Sequence, residues 1–208
     1  TQKFDRLQKK IYVKLQYMHN YQVKLIDRKQ VAENTHAFYL EKPKDFQFIS
    51  GQYFIVSLIN PEKSDDRGNN RIFSIASAQF EKHLMFSTRI IPNCSSFKQN
   101  ILNFTIGAEI GMQGPMGSFI LEQSNKKNVF LAGGIGITPF LSIIKQANHD
   151  GFTKTMYLFY SNNRPEDAPF LNELIQIKDP NYNFIGTMTN MEKSKLKWDQ
   201  ETGFMKIL

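Results

Sequence analysis

The stretch VFLAGGIGITPF, residues 129–140, decides how the second half of this chain folds. Its first four residues form a continuous apolar run, which is typical of a strand buried on both faces of a parallel sheet. Glycines in the turn that follows let a backbone approach a phosphate closely, and Pro139 suits the first turn of a helix that we predict over residues 140–146. A strand, a glycine turn and a helix in this order predict the opening of a βαβ unit that binds a nucleotide.

The α/β pattern continues downstream of this unit. We predict a second strand over residues 155–160, a helix over residues 166–177 and a third strand over residues 183–188. Ser161 and Arg164 follow the second strand, at the edge where nucleotide-binding sheets read the adenosine ribose. Because a guanidinium suits a 2′-phosphate, this pair favours NADPH slightly over NADH.

The preceding hundred residues have an all-β pattern instead. Short apolar or alternating runs, separated by turn residues, predict strands over residues 21–29, 35–40, 53–59, 71–77, 83–90 and 109–113. Several strands at this spacing predict a closed antiparallel barrel. The fold class that we predict is therefore an antiparallel β-barrel followed by a doubly wound α/β domain with a parallel sheet.

The polar stretch 122–128 is the natural linker, so we place the barrel at residues 21–122 and the α/β domain at residues 123–208. Residues 1–20 are an N-terminal extension whose apolar residues recur both at helical and at strand spacing. The extension is basic, which allows contact with a membrane surface, but packing against the chain's own domain is the alternative that we favour.

Composition and charge narrow the possible functions. With 208 residues, 41% of them hydrophobic and 22% charged, the chain suits a folded protein of two domains. The net charge of +7 comes from Lys and Arg scattered along the chain, so we expect no nucleic acid partner. The positive charge can instead form a solvated basic surface, or it can steer anionic partners toward the protein. The single cysteine, Cys94, excludes an intrachain disulfide and a metal or iron–sulfur site built from several thiolates of this chain, and it fits a reducing cytoplasm.

The segment RIFSIAS, residues 71–77, carries a cation, an aromatic ring and hydroxyls along one extended run. It resembles the flavin-binding motif R-x-[YF]-S-x-x-S of the ferredoxin–NADP reductase superfamily. This resemblance implies that Arg71 holds the flavin phosphate, that Phe73 packs on the flavin, and that Ser74, the candidate catalytic residue, hydrogen-bonds near flavin N5. Phe73 stands where tyrosine is commoner, and Ile75 is added as a further cofactor contact. Taken alone, the segment also fits an ordinary amphipathic strand.

Two further motifs resemble the same family. GPMGSF, residues 114–119, resembles the turn that closes its barrel, and GGIGITP resembles its nicotinamide-nucleotide motif G-G-x-G-x-T-P. In the latter, Pro139 replaces the last glycine of the common G-x-G-x-x-G pattern. By resemblance, the nucleotide contacts are Gly133, Gly134, Gly136, Thr138 and Pro139.

The resemblance also implies a second phosphate contact at a helix that we predict to begin near Ser95 and Ser96. The alternative role of these serines is to cap the helix. Thr88, on the strand after the flavin motif, is a weaker candidate for a cofactor contact, because β-branched residues are common in strands. We predict no metal site.

Taken together, the motifs imply an enzyme that binds FAD, or less favourably FMN, on the barrel and NADPH or NADH on the α/β domain. It would pass a hydride from the nicotinamide to the flavin, and electrons on to an acceptor such as a small redox protein. The alternatives are an electron-transfer subunit of a larger complex and a non-catalytic binding module. The family's closing C-G-P-x-x-M motif is not in the sequence, so we expect about one further α/β unit, ~30 residues, beyond this chain and poor nicotinamide reduction without it.

Overall fold

The computed structural model describes residues 19–121 and 127–205. The first of these ranges forms a six-stranded antiparallel sheet in the order β4-β3-β6-β1-β2-β5. This confirms the all-β prediction. The strands are β1 His19–Ala32, β2 Thr35–Glu41, β3 Tyr53–Leu58, β4 Asn70–Ser74, β5 His83–Arg89 and β6 Glu109–Met116, and helix α1, Ser96–Asn103, lies between β5 and β6.

Aromatic side chains fill the space that this sheet encloses. Alternate residues of β3, Phe54, Val56 and Leu58, are buried, as the strand period requires. Phe86 of β5 stacks on Phe38 of β2 at 5.1 Å between ring centroids and meets the edge of Phe54 at 6.2 Å. The six strands therefore surround one apolar core.

The flavin-like segment forms a shorter strand than the predicted 71–77. β4 ends at Ser74, and the next two residues bond to different strands: Ile75 N–H donates to Gln52 C=O at 2.9 Å, and Ala76 N–H donates to Met85 C=O at 2.7 Å. The chain thus crosses from the β3 side of the sheet to β5. Residues 75–78 are all buried, so the predicted alternation of faces ends with β4.

The GPMGSF motif also differs from the predicted turn. Gly114 and Met116 lie within β6, and the backbone turns at Gly117, where φ is 96°. A Cβ at Gly117 would lie 2.8 Å from the ring of Tyr53, so this position needs glycine for space as well as for its φ angle.

The second described range forms a four-stranded parallel sheet in the order β10-β9-β8-β7. This confirms the prediction of an α/β region. Its strands are β7 Asn128–Gly133, β8 Met156–Asn162, β9 Tyr182–Met188 and β10 Glu201–Thr202, the last of which we did not predict. Its helices are α2 Thr138–Asp150 and α3 Leu171–Gln176, with 3₁₀ turns at Gly134–Ile137, Pro165–Asp167 and Met191–Lys193.

Helix α3 begins later than the predicted residue 166. Ala168 precedes Pro169, and a residue before proline avoids the helical region. Ala168 is accordingly extended, with φ −95° and ψ 99°, which separates the Pro165–Asp167 turn from α3.

The two sheets pack against each other through a shared apolar cluster. Ala37, Ala76 and Met85 of the antiparallel sheet belong to the same buried cluster as Ile137 and Leu141 beside the glycine turn. The Ser142 hydroxyl of α2 also donates to the Ser77 carbonyl at 2.6 Å, and both residues are buried. The segment after β4 is therefore fixed against the helix that follows the glycine turn.

The predicted boundary between residues 122 and 123 lies outside the described residues, as do residues 1–18 of the predicted extension. β1 already begins at His19. Within the described ranges, no helix has both the length and the apolar character that crossing a membrane requires.

Candidate functional site

The guanidinium of Arg71 is held by the loop that precedes β4. Its Nη1 donates to the carbonyl oxygens of Arg67 at 2.9 Å, Gly68 at 2.8 Å and Asn70 at 2.7 Å. Its Nη2 lies 3.3 Å from the Asp65 carboxylate, and the group sits over the ring of Phe97, 5.3 Å from the centroid. Only 13% of the Arg71 side chain is exposed, so its charge is directed inward at this carboxylate.

The same carboxylate caps helix α1. The Ser96 backbone N–H donates to Asp65 Oδ2 at 2.9 Å, and the Ser96 hydroxyl donates to that oxygen at 2.7 Å. The hydrogen bond from the Ser96 hydroxyl lowers the pKa of Asp65, helped by the backbone N–H groups of Ser96 and Arg67 and by the Arg71 charge. Ser95 occupies the N-cap position but makes no capping hydrogen bond with its side chain.

Arg71 and Ser96, both predicted as phosphate ligands, are thus brought together around one anion. We call this contact, made of Arg71, Asp65 and Ser96, the Asp65 bridge. Asp65 was not among the predicted ligands, because no local pattern shows that its side chain reaches a helix 31 residues further along the chain.

The other candidates from the flavin-like segment differ in exposure. Phe73 is half-buried and stacks on Phe86 at 4.4 Å, so one of its faces belongs to the core. Ser74 is half-buried at the end of β4, opposite Tyr53. Ile75 is 0% exposed and Thr88 is 4% exposed, so both side chains lie in the interior, and a contact of either residue with a cofactor stays a prediction.

The glycine turn presents open backbone. β7 ends at Gly133, the 3₁₀ turn Gly134–Ile137 follows, and Pro139 stands in the first turn of α2. A Cβ added at Gly134 or Gly136 would meet no other atom within 4 Å, so there is room above these residues for a ligand. The Tyr160 hydroxyl of β8 stabilises the turn by donating a hydrogen bond to Gly134 C=O at 3.1 Å.

Thr138 differs from the glycines because its side chain is already engaged. It is 7% exposed, and its hydroxyl donates to Ile135 C=O at 3.2 Å. This contact stabilises the junction between the 3₁₀ turn and α2.

Ser161 and Arg164 lie in different surroundings. Ser161 is half-buried at the carboxyl end of β8, beside Gly133 of β7. Arg164 instead forms an ion pair with Asp167, at 2.8 Å from Nε, and with Glu33 in the turn between β1 and β2, at 2.6 Å from Nη2. Its hydrogen bond to Asp167, together with the one to Glu33, raises the pKa of Arg164. That Arg164 reads a 2′-phosphate stays a prediction, and a phosphate would have to compete with these two carboxylates for its charge.

Among the described residues, no group of three or more His, Cys, Asp and Glu side chains is arranged to hold a metal ion. The candidate site consists instead of two parts on either side of the interface between the sheets. One is the segment around Arg71, Phe73 and Ser74, and the other is the open glycine turn.

These two sheets define a class of oxidoreductase fold in which an antiparallel barrel precedes a parallel, nucleotide-type sheet. Residues 130–207 match the family model of the oxidoreductase NAD-binding domain. The phenol hydroxylase P5 protein of Acinetobacter pittii is 27% identical over 191 residues, which cover 89% of this chain and 52% of that protein. The carnitine monooxygenase reductase subunit of Escherichia coli is 34% identical over 160 residues, covering 75% of this chain and 48% of that protein. The chain thus spans about half the length of these curated relatives.

A solved structure has the same fold. The ferredoxin NADP⁺ reductase of Neisseria gonorrhoeae, determined with bound FAD and NADP, superposes with a TM-score of 0.72 at 20% identity, covering 89% of this chain and 73% of that one. The described chain therefore has the two-domain fold of this reductase, and its residues 130–207 match the oxidoreductase NAD-binding domain.

Proposed function

We propose that this chain binds FAD along β4 and α1 and a nicotinamide nucleotide at the glycine turn, and that it passes electrons from the nucleotide to an acceptor. When bound, the flavin supplies the redox chemistry: it takes a hydride from the nicotinamide and releases electrons to the acceptor. The observation that carries the proposal is the packing of Ala76 and Ser77, just after β4, against Ile137 and Ser142 beside the glycine turn. The two candidate binding segments are therefore held on facing sides of one rigid interface.

Support for the flavin site comes from the donors around the Asp65 bridge. One small oxyanion, the Asp65 carboxylate, already meets both the Arg71 guanidinium and the first N–H of α1. A phosphate oxygen suits the same donors, because guanidinium forks and helix N-termini both favour anions. The half-buried Phe73 and Ser74 would lie beside the flavin, with the Ser74 hydroxyl able to donate or accept a hydrogen bond at N5.

Support for the nucleotide site comes from the backbone of the turn. Gly134 and Gly136 leave space for a phosphate to approach the chain, and the turn opens directly into α2, a helix of 13 residues. Ser161 lies at the same edge of the sheet, next to Gly133. With Arg164 engaged by carboxylates, the proposal extends to NADH and NADPH alike.

A second function is favoured by the names of the relatives. One is the reductase subunit of a monooxygenase, so this chain is also a candidate for the electron-transfer component of a larger redox complex. In that case the acceptor is a protein partner. A cytoplasmic location is part of the proposal and is based on the single cysteine.

The test is reconstitution with FAD, followed by anaerobic addition of NADH or NADPH while the visible flavin band is recorded. The proposal predicts bound flavin whose band bleaches with at least one nucleotide. A protein that binds flavin but keeps the band unchanged with both nucleotides would be a binding module, and a protein that binds no flavin would contradict the proposal.

A further inference from the structure

The Asp65 bridge uses the donors that the proposed flavin phosphate needs. Asp65 Oδ1 takes one Arg71 nitrogen and the Arg67 backbone N–H, while Oδ2 takes both donors of Ser96. An anion that binds Arg71 and the start of α1 must therefore displace this carboxylate. It would otherwise lie within a few ångströms of it, where two negative charges repel each other.

The loop around Asp65 is held in a defined position. The Asn100 amide of α1 donates to Lys63 C=O at 2.7 Å, and Gly68 N–H donates to Asp65 C=O at 2.8 Å. The Asp65 side chain is 30% exposed, and the next residue, Asp66, is exposed. The loop thus directs the Asp65 carboxylate at Arg71 and Ser96, whereas Asp66 lies at the surface of the same loop.

We propose that Asp65 is an internal competitor of the flavin phosphate, so that the Asp65 bridge and flavin binding exclude each other. This inference rests on the proposed flavin site and adds a residue that sets its affinity. When the phosphate binds, the Asp65 carboxylate leaves Arg71 and Ser96. The competition weakens flavin binding and makes the flavin exchangeable.

The test compares Asp65→Asn with Asp66→Asn, which removes the same charge one residue away in the same loop. Flavin fluorescence titrations measure the Kd of FAD, FMN and riboflavin for each protein. Asp65→Asn removes the charge that strengthens the hydrogen bonds of the Asp65 bridge, and so weakens the contact that excludes the flavin phosphate. We therefore expect Asp65→Asn to bind FAD and FMN roughly tenfold more tightly than the wild type. Riboflavin has no phosphate, so its Kd should stay the same, and Asp66→Asn should resemble the wild type throughout.

A calorimetric titration with inorganic pyrophosphate tests the competition without any flavin. Tighter pyrophosphate binding by Asp65→Asn than by the wild type supports the inference, and equal binding overturns it. Equal FAD affinity in the two proteins also overturns it. If neither protein binds any flavin, the proposed function fails, and the pyrophosphate result still decides whether Asp65 competes for the anion site. If Asp65→Asn does not fold, Asp65→Ser is measured in its place.

Discussion

Arg71 directs its charge into the protein. Three backbone carbonyls fix one of its terminal nitrogens, Asp65 meets the other, and Phe97 covers one face of the guanidinium. An arginine held so firmly loses little conformational freedom when it binds an anion. This preorganisation distinguishes it from Arg67, which contributes its backbone to the loop while its side chain is exposed.

At Arg71, we expect Arg71→Ala to lose flavin. Because charge-assisted hydrogen bonds are worth about 1.5–3 kcal/mol, the Kd of FAD should rise about tenfold or more. Arg67→Ala is the matched control and should keep the wild-type Kd. The measurement is a fluorescence titration with FAD, and an Arg71→Ala protein of undiminished affinity would remove Arg71 from the site.

At Arg164, we expect substitution to affect stability rather than nucleotide choice. Its ion pair with Glu33 links the region after β8 to the turn between β1 and β2, so Arg164→Ala should lower the Tm while leaving the ratio of NADPH to NADH efficiency unchanged. The double variant Arg164→Ala, Glu33→Gln should lose less stability than the two single variants lose together, because the two residues share one ion pair. A shift of the ratio toward NADH would instead restore the 2′-phosphate role.

At the scale of elements, the sequence predicts what local pattern determines. Alternating apolar residues such as Phe54, Val56 and Leu58 marked β3, and the apolar run before the glycine turn marked β7. The early end of β4 could not be predicted, because it depends on backbone hydrogen bonds from Ile75 to Gln52 and from Ala76 to Met85, which the pattern of the segment itself does not show.

The same limit applied to the candidate site. Arg71 and Ser96 were predicted from motif and capping patterns, whereas Asp65 was not, since its partners are set by how the loop folds back on α1. The spacing of Arg164 after β8 placed it correctly at the strand end but could not reveal Glu33, 131 residues earlier in the chain.

The glycine turn allows a test at the level of one element. Gly136 has open space where a side chain would lie, and its φ is not in the left-handed region. We therefore expect Gly136→Val to fold with little change in Tm and to bind FAD normally, but to weaken nucleotide binding because the side chain fills the space above the backbone. Titration with NADH and NADPH measures this, and an unchanged nucleotide affinity would place the ligand elsewhere.

For the whole molecule, the interface between the sheets is the feature on which the proposed function depends. It combines a shared apolar cluster with the buried hydrogen bond from Ser142 to Ser77. A rigid contact of this kind would hold a bound flavin ring and a bound nicotinamide ring at a fixed separation, which favours direct hydride transfer between them.

We expect Ser142→Ala to weaken this interface. The change leaves the buried Ser77 carbonyl without its donor, which costs about 1–3 kcal/mol. Urea denaturation measures the loss, and Ser57→Ala, at a half-buried position on β3, is the control that should change little. Equal stability of Ser142→Ala and the wild type would show that the hydrogen bond contributes nothing to holding the sheets together.

The most direct test of the central claim is anaerobic stopped-flow reduction of the FAD-reconstituted chain by a nicotinamide nucleotide that carries deuterium at the transferring carbon. Direct transfer across the interface predicts that the flavin is reduced and that the deuterated nucleotide reduces it more slowly than the ordinary one. Flavin that stays oxidised with both NADH and NADPH would contradict the account.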